Sequence, residues 1–203
     1  WRRFLIRAGI AYLLTRLCVI AGAAVVAAQS VVADRAEGKP RPSNAVHKII
    51  DVLTSWDGKW YFAIVRDSYP SYIPPNVTWD DYQARTAFFP VFPTLVRWVD
   101  VVLPGGDVFA ALVLNFLLGA AAIYLVGLIT RDLFDDEIAY RAMLLTAVFP
   151  GSFVLSFAYS EATLMVVAAG SMLCLIRKQW FLAGLLAALG AATRPNGIAL
   201  IAA

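Results

Sequence analysis

The 203-residue chain is 61% hydrophobic and only 15% charged, against the ~45–50% apolar and ~25% charged residues of soluble domains, so it reads as a membrane protein. Its net charge of +3 is small and its cations stand at segment ends, an arrangement that implies no DNA or RNA partner. Cys18 and Cys174 both lie in apolar runs, where a thiol behaves as a small hydrophobe, so neither a disulfide framework nor a cysteine metal site is indicated.

The chain starts at Trp1 and stops at Ala203 just as an apolar run over 198–203 gets going, as expected of a piece of a longer protein. Arg2, Arg3 and Arg7 precede an apolar stretch that ends in small residues near Ala27 and Ala28. That resembles a signal peptide, but the run over 4–32 far exceeds the ~7–15-residue core of one. A retained span over 9–32 is predicted instead, long enough for the ~20 residues that cross the hydrocarbon. Arg16 inside it is expected to pack or snorkel, not to do chemistry.

Residues 33–107 are predicted to form a long outer loop with interfacial helices, and loops of that length are uncommon unless functional. Within it, Trp56-Asp57-Gly58-Lys59-Trp60-Tyr61 brings a carboxylate, a cation and three aromatics together in an otherwise greasy chain. A helix over 49–64 would place Ile49, Leu53, Trp56, Trp60 and Ile64 on one stripe, with Asp57 about 60° off its centre. Such a helix lies on a membrane with its carboxylate at the waterline, while a surface carboxylate at a helix end near Gly58 is the bland alternative. The segment 88–103 holds two prolines, Arg97 and Asp100; it is short and charged for a span and fits a helix in the interface.

Spans are then predicted over 108–130, with a central Asn115, and over 142–158, 162–176 and 181–193, with another beginning at 198. A polar hinge over 131–141, the turn Tyr159-Ser160-Glu161, the basic hinge Arg177-Lys178-Gln179 and the turn Arg194-Pro195-Asn196-Gly197 separate them. The expected fold is therefore an all-α integral membrane protein, a single multi-span helical bundle over 1–203. If 88–103 does not cross, the N-terminal arginines, Arg131, Arg141, Arg177 and Lys178 all fall on one side, as the cytoplasmic excess of cations requires. The long loop, Phe88-Phe89-Pro90, Tyr159-Ser160-Glu161 and Arg194-Pro195-Asn196-Gly197 then share the outer face.

Trp56-Asp57, Phe88-Phe89-Pro90, Phe149-Pro150-Gly151-Ser152-Phe153, Tyr159-Ser160-Glu161 and Arg194-Pro195-Asn196-Gly197, in that order, resemble the PIG-V-type mannosyltransferases and their actinobacterial relatives in the GT-C superfamily. The likeness runs over about residues 50 to 200 and corresponds to the N-terminal part of such an enzyme. It implies a GT-C-like bundle in the plasma membrane whose outer face takes mannose from a polyprenyl-phosphate-mannose lipid. The aspartate essential to the family maps to Asp57. Many GT-C enzymes carry two neighbouring acids in this loop, whereas here Gly58 follows Asp57 and the nearest carboxylates are Asp51 and Asp67. This departure leaves a divalent metal open, and no other cofactor is implied.

Transfer from a β-linked lipid phosphosugar to the hydroxyl of a glycolipid or glycoprotein acceptor, with inversion, needs a base and cations for the departing phosphate. Asp57 is the candidate base. It is expected to be shielded by Trp56 and Trp60, where burial favours proton uptake. Lys59, Arg66, Arg85 and Arg194 are the candidate phosphate partners; Arg194 leads because a guanidinium fork suits phosphate, although snorkelling at a helix end is its alternative. Asn196 belongs to the same turn. Glu161 is a candidate for holding the outer hairpins, against plain N-cap chemistry by Ser160 and Glu161. Trp56, Trp60, Tyr61, Phe88 and Phe89 are candidates for a sugar or prenyl groove, against an interface belt. Asp135, Asp136 and Glu137 have metal-like spacing but belong to the inner hinge and read as solvated, and His47 reads as a loop residue. Two other classes stay open. A polyprenyl-phosphate transporter or flippase would carry ionisable or broken-helix features near the midplane, which the spans after the first almost lack, and a non-catalytic membrane subunit would have no need of Asp57.

Overall fold

The two long apolar runs that lack proline form the two longest helices, α1 over Arg2–Ala36 and α5 over Gly106–Leu133. At ~1.5 Å per residue both outrun the ~30 Å hydrocarbon, and both have the length and hydropathy of a membrane span. Around them lie α2 (Ala45–Leu53), α3 (Asp57–Asp67), α4 (Val91–Val102), α6 (Asp136–Val148), α7 (Glu161–Ile176) and α8 (Trp180–Ala191), with 3-10 segments at Pro150–Ser156 and Pro195–Ile201. The computed structural model describes residues 1–38, 45–72 and 85–202, and no strand occurs among them. Asp80 and Asp81 lie outside the described residues. The fold is an all-α membrane protein, as expected.

The stretch predicted as one span over 142–158 is broken. Helix α6 ends at Val148, and the 3-10 segment Pro150–Ser156 turns away from it by 74°. The cause is Pro150, which excludes helical geometry for the residue before it; Phe149 accordingly has ψ 131°. Arg16 settles the new direction. It is buried in α1 and donates to the Ser152 carbonyl at 2.7 Å, the Ser152 hydroxyl at 2.9 Å and the Ser156 hydroxyl at 3.0 Å. The span arginine therefore packs and does not snorkel, and the Phe149-Pro150-Gly151-Ser152 stretch is its seat. The shorter helices α7 and α8 hold 16 and 12 residues, about 24 and 18 Å, less than the hydrocarbon on their own.

The helix expected over 49–64 is likewise two helices. Thr54 and Ser55 turn their hydroxyls back onto the carbonyls of Ile50 and Val52, at 2.8 and 2.7 Å, and such back-bonding competes with helix continuation. Trp56 then sits at φ +53°, a left-handed conformation that costs an L residue about 1–2 kcal/mol. The carbonyl of Leu53, released from the helical ladder, accepts the N–H of Ala158 at 2.9 Å. One orphan of the α2 terminus thus docks the segment leading into α7.

Helix α4 is too short to cross and lies along α3 and α5, where Phe92 and Val96 join Tyr61, Phe62, Ala110, Ala111 and Ala158 in the core. At the opposite end of the bundle Arg177 pairs with Asp132 at 2.8 Å, Arg131 with Asp136 at 2.7 Å, and Arg131 lies over the Trp1 ring at 4.7 Å. The N-terminus and both basic hinges therefore share one end.

Candidate active site

The break at residues 54–56 makes Asp57 the first residue of α3 instead of a mid-helix residue. Asp57 is half-buried, and among the described residues it forms no hydrogen bond or ion pair. Trp56 does not shield it as expected: its left-handed backbone throws the ring outward, 68% exposed, to stack on Phe157 at 6.5 Å. The Asp57 charge is instead felt by two phenols. Burial, a hydrogen bond from Ser160 opposing it, and the charges of Glu161 and Asp57 leave Tyr61 pushed up to about 12. Burial together with the Asp57 charge pushes Tyr159 up to about 12 as well. Ser55 lies near enough to temper that rise without completing a hydrogen bond, so the Tyr159 hydroxyl is buried without a partner.

One turn along α3, the Tyr61 hydroxyl meets the Ser160 hydroxyl at 2.6 Å. Ser160 is buried at the start of α7 but makes no side-chain cap there, so the N-cap account of Ser160 and Glu161 does not hold. Its hydroxyl also receives Arg194 Nη1 at 3.4 Å, and the same nitrogen pairs with Glu161 Oε1 at 2.5 Å. Glu161 Oε2 is buried without a partner. Asn115, fully buried in α5, holds this segment from behind by donating to the carbonyls of Phe157 and Tyr159, the latter at 2.7 Å.

Arg194 reaches Glu161 because the chain folds back sharply after α8. A Cβ on Gly197 would stand 1.9 Å from the Gly190 carbonyl oxygen; only glycine permits that approach. Asn196 is exposed at the outside of this turn.

The other candidates divide. Phe88 stacks on Trp60 at 6.4 Å and meets Tyr61 edge-on at 5.0 Å, so these rings form one wall beside α3. Phe89 is half-buried next to Phe88, and Lys59 lies exposed over the Trp60 ring at 5.0 Å. Arg66 and Arg85 are not brought to Asp57. Arg66 pairs with Asp107 at 2.7 Å, and Arg85 is 3.7 Å from Asp67 and 3.2 Å from the Ser68 carbonyl, all at the far end of α3, about 14 Å along the helix. Among the described residues no three His, Cys, Asp or Glu side chains converge. Asp135 caps α6, and Asp136 and Glu137 pair with Arg131 and Arg141.

Sequence reasoning took Tyr61 as a groove or belt ring, Ser160 as a cap and Asn115 only as a polar residue in a span, and missed that Tyr61 and Ser160 are partners. A buried asparagine in an apolar helix was the available signal, since such a side chain must find partners.

The order of these elements, with a loop aspartate, a broken helix and a returning arginine, now meets the one comparison that decides the family: the profile of the family described as Mannosyltransferase (PIG-V) matches residues 3–203. The chain belongs to the PIG-V mannosyltransferase family. Neither a curated protein nor a solved structure matches it. As a PIG-V mannosyltransferase it is a glycosyltransferase of the membrane, and the family implies a lipid-linked sugar donor. The break after α6 is a broken-helix feature of the kind that these spans were expected almost to lack.

Proposed function

We propose that this chain supplies the base side of a GT-C-type reaction that moves mannose from a polyprenyl-phosphate-mannose to a glycolipid or glycoprotein hydroxyl, with inversion, on the outer face. The observation that carries the reading is Asp57: a half-buried carboxylate without an ion-pair partner among the described residues, set at a strained turn beside an arginine–glutamate pair drawn from two distant motifs. Backbone strain of this kind concentrates at functional sites.

In this reading Asp57 takes the proton from the acceptor hydroxyl as its oxygen attacks the anomeric carbon, and the bond from that carbon to the phosphate oxygen breaks on the opposite side. The lipid phosphate leaves with the electron pair. Arg194 uses one nitrogen for both Glu161 and Ser160, and a guanidinium has five N–H donors, so the rest of its fork serves the phosphate. Lys59 is the second cation on this end of α3. The Trp60 and Phe88 rings offer a stacking wall for a sugar or a prenyl unit. The end that gathers Arg131 and Arg177, of the kind the cation rule assigns to the cytoplasm, supports this orientation.

The test uses full-length protein, a β-linked polyprenyl-phosphate-mannose and a panel of mannosylated lipid and peptide acceptors, with the product anomer assigned by NMR. An α-linked product is expected. Retention of the β-configuration, or no transfer to any acceptor, contradicts the reading. Cysteines at Asn196 and Asp135 check the orientation: the first should label from outside intact cells and the second should not, and the reverse pattern would invert the protein.

A further inference from the structure

We propose that Tyr61 is a positioning residue: through Ser160 its hydroxyl fixes the register of helix α3, so that Asp57 and Arg194 keep a set separation across the site. The inference rests on Asp57 and Arg194 acting as read above.

Tyr61 stands four residues after Asp57, hence on the same face of α3. Its ring is held edge-on between Phe88 at 5.0 Å and Phe92 at 4.9 Å, so the hydroxyl has one direction to point. There it meets Ser160 Oγ at 2.6 Å, across 99 positions of sequence. Ser160 in turn touches Arg194, and its neighbour Glu161 grips the same guanidinium. A continuous line thus runs from the helix that carries Asp57 to the turn that carries Arg194.

Two features separate this line from ordinary packing. A serine at the start of a helix ordinarily caps it, yet Ser160 makes no cap and spends its hydroxyl on Tyr61 and Arg194. The apolar work of Tyr61 is done by the ring, which phenylalanine would reproduce, leaving the hydroxyl with no role except the link. With Tyr61 pushed up to about 12, the phenol keeps its proton at any working pH and the link stays neutral.

The experiment is a double-mutant cycle on full-length protein with a β-linked polyprenyl-phosphate-mannose donor, comparing Tyr61→Phe, Ser160→Ala and both together, with Asp57→Asn in parallel. Each single variant should lower kcat about tenfold with the donor KM within twofold, and the double variant should be no worse than the poorer single one. Normal turnover by both single variants, additive losses, or a loss confined to donor KM would overturn the positioning role. Tyr61→Phe cuts the link while leaving the contact of Ser160 with Arg194 in place, so its normal turnover alone overturns the positioning role even where Ser160→Ala fails to fold. Normal turnover by Asp57→Asn overturns the base assignment instead, and the cycle still reports whether Tyr61 and Ser160 act as one.

Discussion

The two ends of helix α3 carry similar residues put to different use. At the C-terminal end the charges are matched: Arg66 with Asp107, Asp67 with Arg85, and Arg97 with the carbonyls of Ile64 and Val65 and the hydroxyl of Ser68. At the N-terminal end Asp57 has no partner among the described residues, the Tyr159 hydroxyl and Glu161 Oε2 are buried without one, and Trp56 sits in a left-handed conformation. Paired charges clamp the helix onto α4 and α5. Both ends carry a positive-φ residue, Trp56 and Ser68, so pairing and not strain separates them. Unpaired polar groups suit a site for a polar ligand, because a buried polar group without a partner costs about 1–3 kcal/mol until something binds it.

Substitutions at the two ends should therefore separate chemistry from stability. The largest effect belongs to Asp57→Asn, which keeps size and most hydrogen bonding while removing basicity; turnover should fall by about 10²–10⁴-fold. Next comes Arg194→Ala, which takes a charged hydrogen-bond partner from Glu161 and Ser160. At about 1.5–3 kcal/mol for such a bond, a fall of about 10- to 100-fold in kcat/KM for the lipid donor is expected, with Glu161→Gln lowering kcat by a smaller factor. Wild-type kinetics in both would make the contact purely architectural.

Smaller effects are expected at the clamped end. Asp107→Asn breaks an ion pair whose arginine is more than half exposed, and such pairs contribute about 0–1 kcal/mol. It should shift the thermal midpoint slightly and leave kcat within twofold; a large loss of turnover would place part of the site at this end. The weakest signature is alkaline. Tyr61 and Tyr159 bind their protons more tightly folded than unfolded, so their contribution is intact below about pH 10 and lost as pH rises through about 12. Melting curves between pH 9 and 12 should show a steep decline that Tyr61→Phe softens; an unchanged decline would remove Tyr61 from the account.

The bundle was legible because its cues are local. Apolar runs of more than 20 residues without proline can only be long helices, and Arg194-Pro195-Asn196-Gly197 announces a turn. Glu161 and Arg194 were placed on a common face by counting cations, and they do meet. The break at residues 54–56 was not legible, because Thr54 and Ser55 sit comfortably in a helix until their hydroxyls bond backward, and the Ala158 N–H that rewards the break comes from a residue 105 positions beyond its Leu53 acceptor. Arg66 and Arg85 looked like phosphate ligands for the same reason. A cation near a carboxylate-bearing loop has no sequence mark that tells an ion-pair partner from a ligand, and only the fold supplies Asp107 and Asp67. The Tyr61 to Ser160 link has no local pattern at all.

The central claim is that catalysis lives at one end of α3 and structure at the other. The direct measurement is kcat for Asp57→Asn and Asp107→Asn, prepared as full-length protein in the same membranes and assayed with the same lipid donor. A ratio of about 10² or more between them, with comparable expression and melting behaviour, is the predicted result; equal turnover, or greater loss in Asp107→Asn, would contradict it.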